Sequence, residues 1–199
     1  MVREPQQNRA KATRERILDA VCDLAVSKDG DAVTTTALAQ QLDVSVGTIY
    51  RYFETREDAL RAAYNDAYAD LIGRWFKGLG NLSILDTDSA ARELFGSYIA
   101  VADNHRTFLP LLKCIRKIQS LEEEQSQEGM PPDRLASFAA MLGVHLHPTN
   151  MQRMDLLRHL TTDLSHLYLM RPQSQRATLH AETLAMIALM LDRMRGDGG

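Results

Sequence analysis

The sequence predicts an all-α protein. Along its 199 residues, apolar side chains recur three and four positions apart, which is the spacing of helices that bury one face. The alternating apolar and polar pattern of a half-buried strand is missing from the sequence. Glycine, proline and short polar clusters divide the chain into separate helical segments. We therefore expect a small three-helix amino-terminal domain followed by a larger helical domain.

The first predicted helix covers residues 9 to 27. Its apolar face consists of Ile17, Ala20, Val21, Leu24 and Ala25.

The amino end of the chain is basic. Although the whole chain has a net charge of −3, its first sixteen residues carry five bases against Glu4 and Glu15. These bases are Arg3, Arg9, Lys11, Arg14 and Arg16. Such an arm could lie along a phosphate backbone or reach into a minor groove. The alternative is a disordered tail whose charges only favour solubility.

Residues 34 to 53 read as two short helices joined by a tight turn. Hydroxyl groups at Thr34 and Thr35 can accept hydrogen bonds from the first backbone N–H groups of one helix. Its inward face is Leu38, Ala39 and Leu42, and it ends by Asp43. Ser45 can cap the second helix, which reaches about Phe53 and buries Ile49 and Phe53.

The opposite edge of the second helix suits a DNA major groove. Hydroxyl groups of Thr48 and Tyr50 can bind phosphates or base edges, and Arg51 can bind guanine. Gly47 lets the backbone come close. The edge as a whole consists of Val46, Gly47, Thr48, Tyr50, Arg51 and Tyr52. The alternative is an ordinary helical hairpin with these side chains in solvent.

These residues carry a family resemblance. The stretch from Thr13 to about Tyr64 contains Ile17-Leu18-Asp19-Ala20 and the run TTTALAQQLDVSVGTIYRYFETREDAL. It resembles the DNA-binding domain of the tetracycline-repressor (TetR) family over about a quarter of the chain. The resemblance implies a ligand-responsive transcriptional regulator, a repressor, that binds a double-stranded DNA operator. By the family's pattern, phosphates are contacted by Thr35, Ser45, Tyr50, Tyr52 and Arg56, and bases face Thr36, Val46, Gly47, Thr48 and Arg51.

Overall charge limits how the DNA is bound. The pI is about 6.1, and residues 1 to 60 hold eight Lys/Arg against ten Asp/Glu. A protein that coats nucleic acid non-specifically through its charge needs a broad basic surface. We therefore expect a few well-placed contacts with the DNA. We also expect binding to require two copies of the DNA-binding domain (two reading heads).

One long helix connects the two domains. It runs from Glu57 to about Lys77, with no flexible linker before it. We divide the chain into a helix-turn-helix domain at residues 1–56 and a ligand-binding and dimerisation domain at residues 57–199. Further helices are expected from Asp88 or Ser89 to 103, and over 107–125, 132–145, 149–171 and 173–195, with a loop at 129–132.

The last two helices predict a homodimer. Leu184 to Leu191 are eight consecutive apolar residues, and a helix that is apolar all round must be covered on more than one side. Eight residues are too few to span a bilayer, so no membrane is expected. The preceding helix offers Met154, Leu157, Leu160, Leu164 and Leu167. We expect these helices to form a four-helix interface with their two-fold copies; the alternative is a buried helix of a monomer.

A dimer of this kind would read a near-palindrome. Its half-sites would lie about one helical turn, ~34 Å, apart.

The second domain is expected to bind a small apolar or amphipathic effector. Aromatic and methionine side chains can line an adaptable cavity, although the same residues could form an ordinary core. The predicted lining is Trp75, Phe95, Tyr98, Phe108, Leu112, Phe138, Met141, Leu142 and Tyr168.

A metal-responsive sensor is the alternative function. His159, Asp163 and His166 are spaced to share one helix face and could hold Zn²⁺. Histidine and aspartate on helices are more often hydrogen-bonded partners, so we expect neither metal nor cofactor. An all-α protein-interaction module would leave the Thr/Tyr/Arg edge unexplained.

Catalytic motifs are missing from the sequence. It contains no Gly-rich phosphate loop, Gly-x-Ser-x-Gly elbow, His-Glu-x-x-His motif or ordered Ser/His/Asp set, so we expect no enzyme. Cys22 and Cys114 lie in apolar settings and read as reduced core residues of a cytoplasmic protein. No signal peptide or anchor is recognisable at the amino end.

Overall fold

The computed structural model describes residues 4–27, 30–118 and 132–196, and every regular element within these ranges is helical. The predicted all-α class is confirmed. Nine α-helices lie in the described ranges: α1 Glu4–Ser27, α2 Thr35–Leu42, α3 Val46–Tyr50, α4 Arg56–Gly78, α5 Thr87–Asp103, α6 Phe108–Ile118, α7 Pro132–Leu142, α8 Pro148–Met170 and α9 Arg176–Gly196. The predicted loop at 129–131 and the tail of the 107–125 helix lie outside the described residues.

The chain forms two compact units. The first comprises Met1–Ile72 and His105–Glu124, and the second comprises Gly73–Asn104 and Gln125–Gly199. Helix α4, predicted as one continuous helix, begins in the first unit, and its last residues belong to the second. The division at residue 57 was predicted on functional grounds and stays a prediction.

Helix α6 belongs to the first unit, although the sequence predicted it in the larger domain. Arg106, just before α6, forms an ion pair of 3.2 Å with Asp23 of α1. Lys117 lies 3.3 Å from Asp31. The Phe108 ring stacks on Tyr64 of α4 with a centroid distance of 6.0 Å. These contacts join α6 to helices that are distant in sequence, which no local pattern could indicate.

The basic amino end is helical and not an extended arm. Helix α1 begins at Glu4, so Arg9, Lys11, Arg14 and Arg16 all lie within it; Arg3 lies outside the described residues. Among the described side chains of α1, which begin at Asn8, the first buried one is Ile17, at 0% exposed. Everything on α1 that packs into the core therefore follows the basic segment.

Asp86, rather than the predicted Asp88 or Ser89, caps α5. Its carboxylate accepts from the Ser89 backbone N–H at 2.8 Å and from the Ser89 hydroxyl at 2.8 Å. These two hydrogen bonds lower the pKa of Asp86. A cap accepts from the third residue of its helix, so the capping side chain stands before the first helical residue and not within the helix.

The second unit is built from the end of α4 with α5, α7, α8 and α9. Its core includes Phe95, Leu142, Leu157 and Leu191. Gly143, with φ of +70°, ends α7 so close to Ser83 that a Cβ there would lie 2.9 Å from the Ser83 Cβ. Only glycine adopts this backbone conformation readily, so the turn can pack directly on the segment before α5.

Helices α8 and α9 are apolar on two faces. The predicted interface residues Met154 and Leu157 are 3% exposed and pack into the core. Leu160 and Leu164 are half-buried. The outward face instead exposes Leu156, Leu167 and Met170 on α8, with Met186 and Leu189 on α9. None of the described helices combines the length and apolarity that a membrane span requires.

Both cysteines are free thiols in apolar surroundings. Cys114 is buried and donates to the Pro110 carbonyl at 3.1 Å. Burial, and then the negative charges of Asp19, Asp23 and Asp66, raise the pKa of Cys22 to about 11. The Cys22 thiol therefore stays protonated and weakly reactive at neutral pH.

Candidate nucleic-acid interface

The predicted turn between two helices lies at Asp43 to Ser45. The Thr34 hydroxyl caps α2 by accepting from the Ala37 N–H at 3.0 Å. Asp43 ends α2 in the left-handed conformation, with φ of 53°, which Asp tolerates better than most residues. The Val44 N–H then donates to the Ala39 carbonyl at 3.0 Å. These bonds reverse the chain within three residues and place α3 across α2.

Helix α3 is short and firmly anchored. The Ser45 hydroxyl oxygen accepts from the Thr48 N–H at 3.2 Å, which confirms the predicted cap. Ile49 is 0% and Phe53 6% exposed, which confirms the predicted buried edge. The helix ends at Tyr50, earlier than predicted, because the Tyr52 N–H donates to the Ile49 carbonyl and tightens the last turn.

The edge opposite Ile49 faces away from the core. Tyr50 is 53% exposed, which is unusual for so large a ring. The other exposed members of the predicted DNA-contact set are Thr36, Ser45, Gly47 and Arg51, and the half-buried members are Thr35, Val46, Thr48, Tyr52 and Arg56. All ten therefore keep some surface on the first unit. The Ser45 and Thr48 hydroxyls lie 3.0 Å apart and share one hydrogen bond.

Two arginines are held by neighbouring groups. The Arg51 guanidinium lies over the Tyr52 ring, 5.3 Å from its centroid. Arg56 donates from Nε to the Val33 carbonyl and lies 3.2 Å from Glu57. Because Val33 directly precedes the Thr34 cap, Arg56 joins the start of α4 to the start of α2. Its role in the fold was not visible in the sequence.

Gly47 is not required by the fold. A Cβ at this position would meet only the Ser45 hydroxyl oxygen, at 3.8 Å, which is an ordinary contact. The Gly47 backbone is not left-handed, in contrast to that of Gly143. The open space beside Gly47 therefore lies on the outer side, where another molecule could approach the α3 backbone.

Seven of the nine predicted effector-binding residues lie in the second unit. Trp75 meets Tyr98 with a centroid distance of 5.7 Å and Phe138 at 6.0 Å. Phe95 meets Tyr168 at 5.4 Å. Met141 and Leu142 belong to the same core. Phe108 and Leu112 instead lie in the first unit, where both are buried.

Polar groups line this aromatic cluster, and sequence reasoning missed them. Trp75 donates from Nε1 to the Ser97 hydroxyl at 2.9 Å. The Tyr98 hydroxyl lies 3.3 Å from Nε2 of His166, which is 4% exposed. His180 meets the Phe95 ring at 5.4 Å. The sequence signal for His166 was a histidine on a largely apolar helix, which favoured a hydrogen-bonded partner over a metal ligand but did not identify Tyr98 as that partner.

The structure does not assemble His159, Asp163 and His166, the set considered for the alternative metal site. His166 points into the core towards Tyr98, whereas His159 is half-exposed beside Arg158, 2.6 Å away. Among the described residues, no group of three or more His, Cys, Asp or Glu side chains could hold a metal ion.

The amino-terminal part of the chain matches a known family. Residues 17–63 match the family described as bacterial regulatory proteins, tetR family. The chain is 45% identical over 56 residues to the HTH-type transcriptional repressor KstR of Rhodococcus jostii (strain RHA1), covering 28% of this chain and 26% of that protein. It is 44% identical over 50 residues to KstR of Mycolicibacterium smegmatis (strain ATCC 700084 / mc(2)155), covering 25% and 24%. The matched region thus spans about a quarter of the length of these relatives.

Two solved structures share the whole fold. A tetR-family transcriptional regulator from Streptomyces coelicolor superposes with a TM-score of 0.56 at 16% identity, covering 95% of this chain and 90% of that chain. A candidate tetR family transcription regulator from Shewanella sp. PV-4 superposes with a TM-score of 0.52 at 17% identity, covering 88% and 96%. At such identities the likeness concerns the fold alone.

Proposed function

We propose, from the match of residues 17–63 to the tetR family of bacterial regulatory proteins, that the chain is a dimeric repressor of transcription. It is a DNA-binding regulator and not an enzyme. It binds a near-palindromic operator, and a small apolar or amphipathic effector in the second unit releases it.

The exposed edge of α3 carries this proposal. The fold holds α3 by Ile49 and Phe53 and leaves Tyr50 and Arg51 outside. An exposed phenol and guanidinium beside a bare backbone stretch at Gly47 can contact phosphates and base edges together. We assign the phosphate contacts to Thr35, Ser45, Tyr50, Tyr52 and Arg56, and the base contacts to Thr36, Val46, Gly47, Thr48 and Arg51.

Gly47→Ala separates DNA binding from folding. The fold has room for the methyl group, and alanine favours a helix over glycine by up to about 1 kcal/mol, so stability should stay equal or rise. Close approach of DNA to the α3 backbone should be blocked, lowering operator affinity by about 1 to 3 kcal/mol. Duplexes are first selected from a random library with the wild-type chain, then both proteins are compared by mobility shift and urea unfolding.

Gly96→Ala is the matched control for this change. Gly96 lies within α5 of the second unit, with nothing within 4 Å of an added Cβ. We expect it to leave DNA affinity unchanged. Equal affinity of the Gly47→Ala and wild-type proteins would contradict the α3 assignment, and failure of the wild-type chain to select any duplex would refute the proposed function.

The aromatic cluster around Trp75 supports the effector site. Its rings meet edge to face, and aromatic side chains with a few polar groups are the usual lining of sites for apolar ligands. The Tyr98–His166 pair places one polar contact among these rings, which suits an amphipathic ligand. Helix α4 contributes Trp75 to this cluster and Leu60 and Tyr64 to the first unit. We propose that the effector shifts α4 and thereby changes the separation of the two reading heads.

Trp75 is the only tryptophan of the chain, so its fluorescence should report the effector. A panel of fatty acids and aromatic amphiphiles of graded length is titrated into the protein with and without the selected duplex. A ligand that shifts Trp75 emission should weaken duplex binding, and the duplex should weaken binding of that ligand by the same factor. Ligands that bind next to Trp75 and leave duplex affinity unchanged would count against this site.

A further inference from the structure

Helix α1 extends well beyond the core that it helps to form. Its first thirteen residues, Glu4 to Arg16 (the amino-terminal extension), precede Ile17, the first buried residue among the described side chains. Among the described side chains from Asn8 to Arg16, all are exposed except Thr13, which is half-buried. The Thr13 hydroxyl donates to the Arg9 carbonyl within the same helix, at 2.9 Å. At ~1.5 Å per residue, the extension is about 20 Å long.

The extension concentrates the positive charge of the chain. The extension, residues 4–16, holds four Lys/Arg and two Asp/Glu, which is +2, while the 183 residues that follow it hold 18 and 24, which is −6. Lys11 and Glu15 form a single ion pair of 3.9 Å at exposed positions, which contributes little to stability. Neither core packing nor ion pairing therefore accounts for this accumulation of bases.

The end of the amino-terminal extension that joins the core lies beside α3. The Arg14 guanidinium lies over the Phe53 ring, 5.4 Å from its centroid. Phe53 follows α3 by three residues, and its N–H donates to the Ile49 carbonyl of α3. A DNA duplex lying on the outer edge of α3 would thus present its phosphate backbone close to the end of the extension that contains Arg14.

We propose that the amino-terminal extension is a second DNA contact, in which Arg9 and Arg16 bind phosphates that flank each half-site. The inference rests on the proposed function. Arg9 and Arg16, seven positions apart, share one side of the helix, as a contact with one strand of phosphates requires. At 3.4 Å per base pair, an extension of about 20 Å reaches roughly six base pairs.

Helical structure decides which part of the DNA is contacted. A helix with its side chains is about 10 to 12 Å across, whereas the minor groove of B-DNA is about 6 Å wide. The extension cannot enter the minor groove as an extended arm could. It binds along the phosphate backbone and adds affinity without reading sequence.

Removing two of these charges tests the inference. In the double variant Arg9→Gln, Arg16→Gln the helix former glutamine replaces each arginine, and circular dichroism checks the helix content. Because each protomer of the proposed dimer loses two phosphate contacts, the slope of log affinity against log salt for the selected duplex should become shallower by about 3.6, which makes binding at 0.1 M salt up to about 4,000-fold weaker. Preference among duplexes should be unchanged. Shortening the duplex by six base pairs at each end should weaken the wild-type protein and not the variant.

The control removes the same charge elsewhere. Lys77→Gln with Arg134→Gln changes two exposed bases of the second unit and should leave the salt slope as in the wild type. If wild-type protein selects a duplex but the extension variant matches its slope and affinity, this inference fails and the proposed function stands. If the wild-type chain selects no duplex, the proposed function falls and the inference with it. Loss of self-association by the extension variant without DNA would assign the extension to a second copy and also overturn the inference.

Discussion

Replacing Leu189 by arginine should convert the protein to a monomer and lower its affinity for the selected duplex by about 100-fold or more, since linked reading heads typically gain 10²- to 10⁴-fold. Leu189 is 52% exposed on the outward face of α9, so the folded monomer has little reason to lose stability. A two-fold interface contains each position twice. One substitution therefore buries two unpaired charges against apolar surface, at a cost of several kcal/mol.

Leu189 belongs to a larger exposed apolar surface on α8 and α9. Seven of the ten exposed large apolar side chains among the described residues lie between Leu146 and Leu189, on α8, on α9 or just before α8. Leu156, Leu167 and Met170 recur along one side of α8 at intervals that keep them together. Continuous exposed apolar surface of this kind usually marks an interface.

Ile84→Arg is the control for Leu189→Arg. Ile84 is 80% exposed and lies outside α8 and α9, and its replacement should leave the dimer intact. Sedimentation equilibrium gives the oligomeric state and mobility shift gives the duplex affinity. If the Leu189→Arg protein sediments as a dimer and binds the duplex with wild-type affinity, this face is not part of the dimer interface.

Replacing Arg195 by alanine should lower the free energy of unfolding by about 3 to 5 kcal/mol, because hydrogen bonds from a charged donor contribute about 1.5 to 3 kcal/mol each and are not additive. Its guanidinium donates to the Leu142 carbonyl at 2.8 Å, to Leu85 at 2.7 Å and to Leu82 at 2.8 Å. One side chain at the end of α9 thus holds the end of α7 and the turn before α5. Lysine at this position should recover little, since an ammonium cannot present a planar fork of donors.

Arg193→Ala is the matched control for Arg195. Arg193 lies two residues before Arg195 in the same last turn of α9, and its side chain is exposed. Its loss should change stability by less than about 0.5 kcal/mol. Urea unfolding of the three proteins at one protein concentration measures the difference. Equal midpoints for the two alanine variants would show that the three carbonyl contacts contribute little.

The helix-turn-helix could be predicted from sequence because its signals are local. The Thr34 and Ser45 caps act on N–H groups three residues away, and Asp43 determines the turn through its own backbone angles. The period of apolar residues in α4 likewise records only which side of one helix is buried. These signals depend only on residues that lie within a few helical turns of one another.

Contacts between distant segments could not be predicted in this way. Phe108 and Leu112 carry the same apolar pattern whether α6 packs with the first unit or the second, and the ion pair from Arg106 to Asp23 joins residues 83 positions apart. Arg195 donates to three carbonyl groups that lie 53, 110 and 113 positions away in the chain. The Tyr98 hydroxyl as the partner of His166 could not be predicted either, because a sequence shows the spacing of side chains and not their partners.

By itself, the sequence determined the all-α class, the positions of most helices and the residues on the outer edge of α3, since each follows from propensity, capping and periodicity within one helix. The tertiary structure decided which face of α8 and α9 enters the core, that α6 packs with the first unit and that the basic amino end is a helix projecting from it. These features depend on which surfaces meet across long separations in the chain. A helix that is apolar on two sides satisfies the same local rules whichever side it buries.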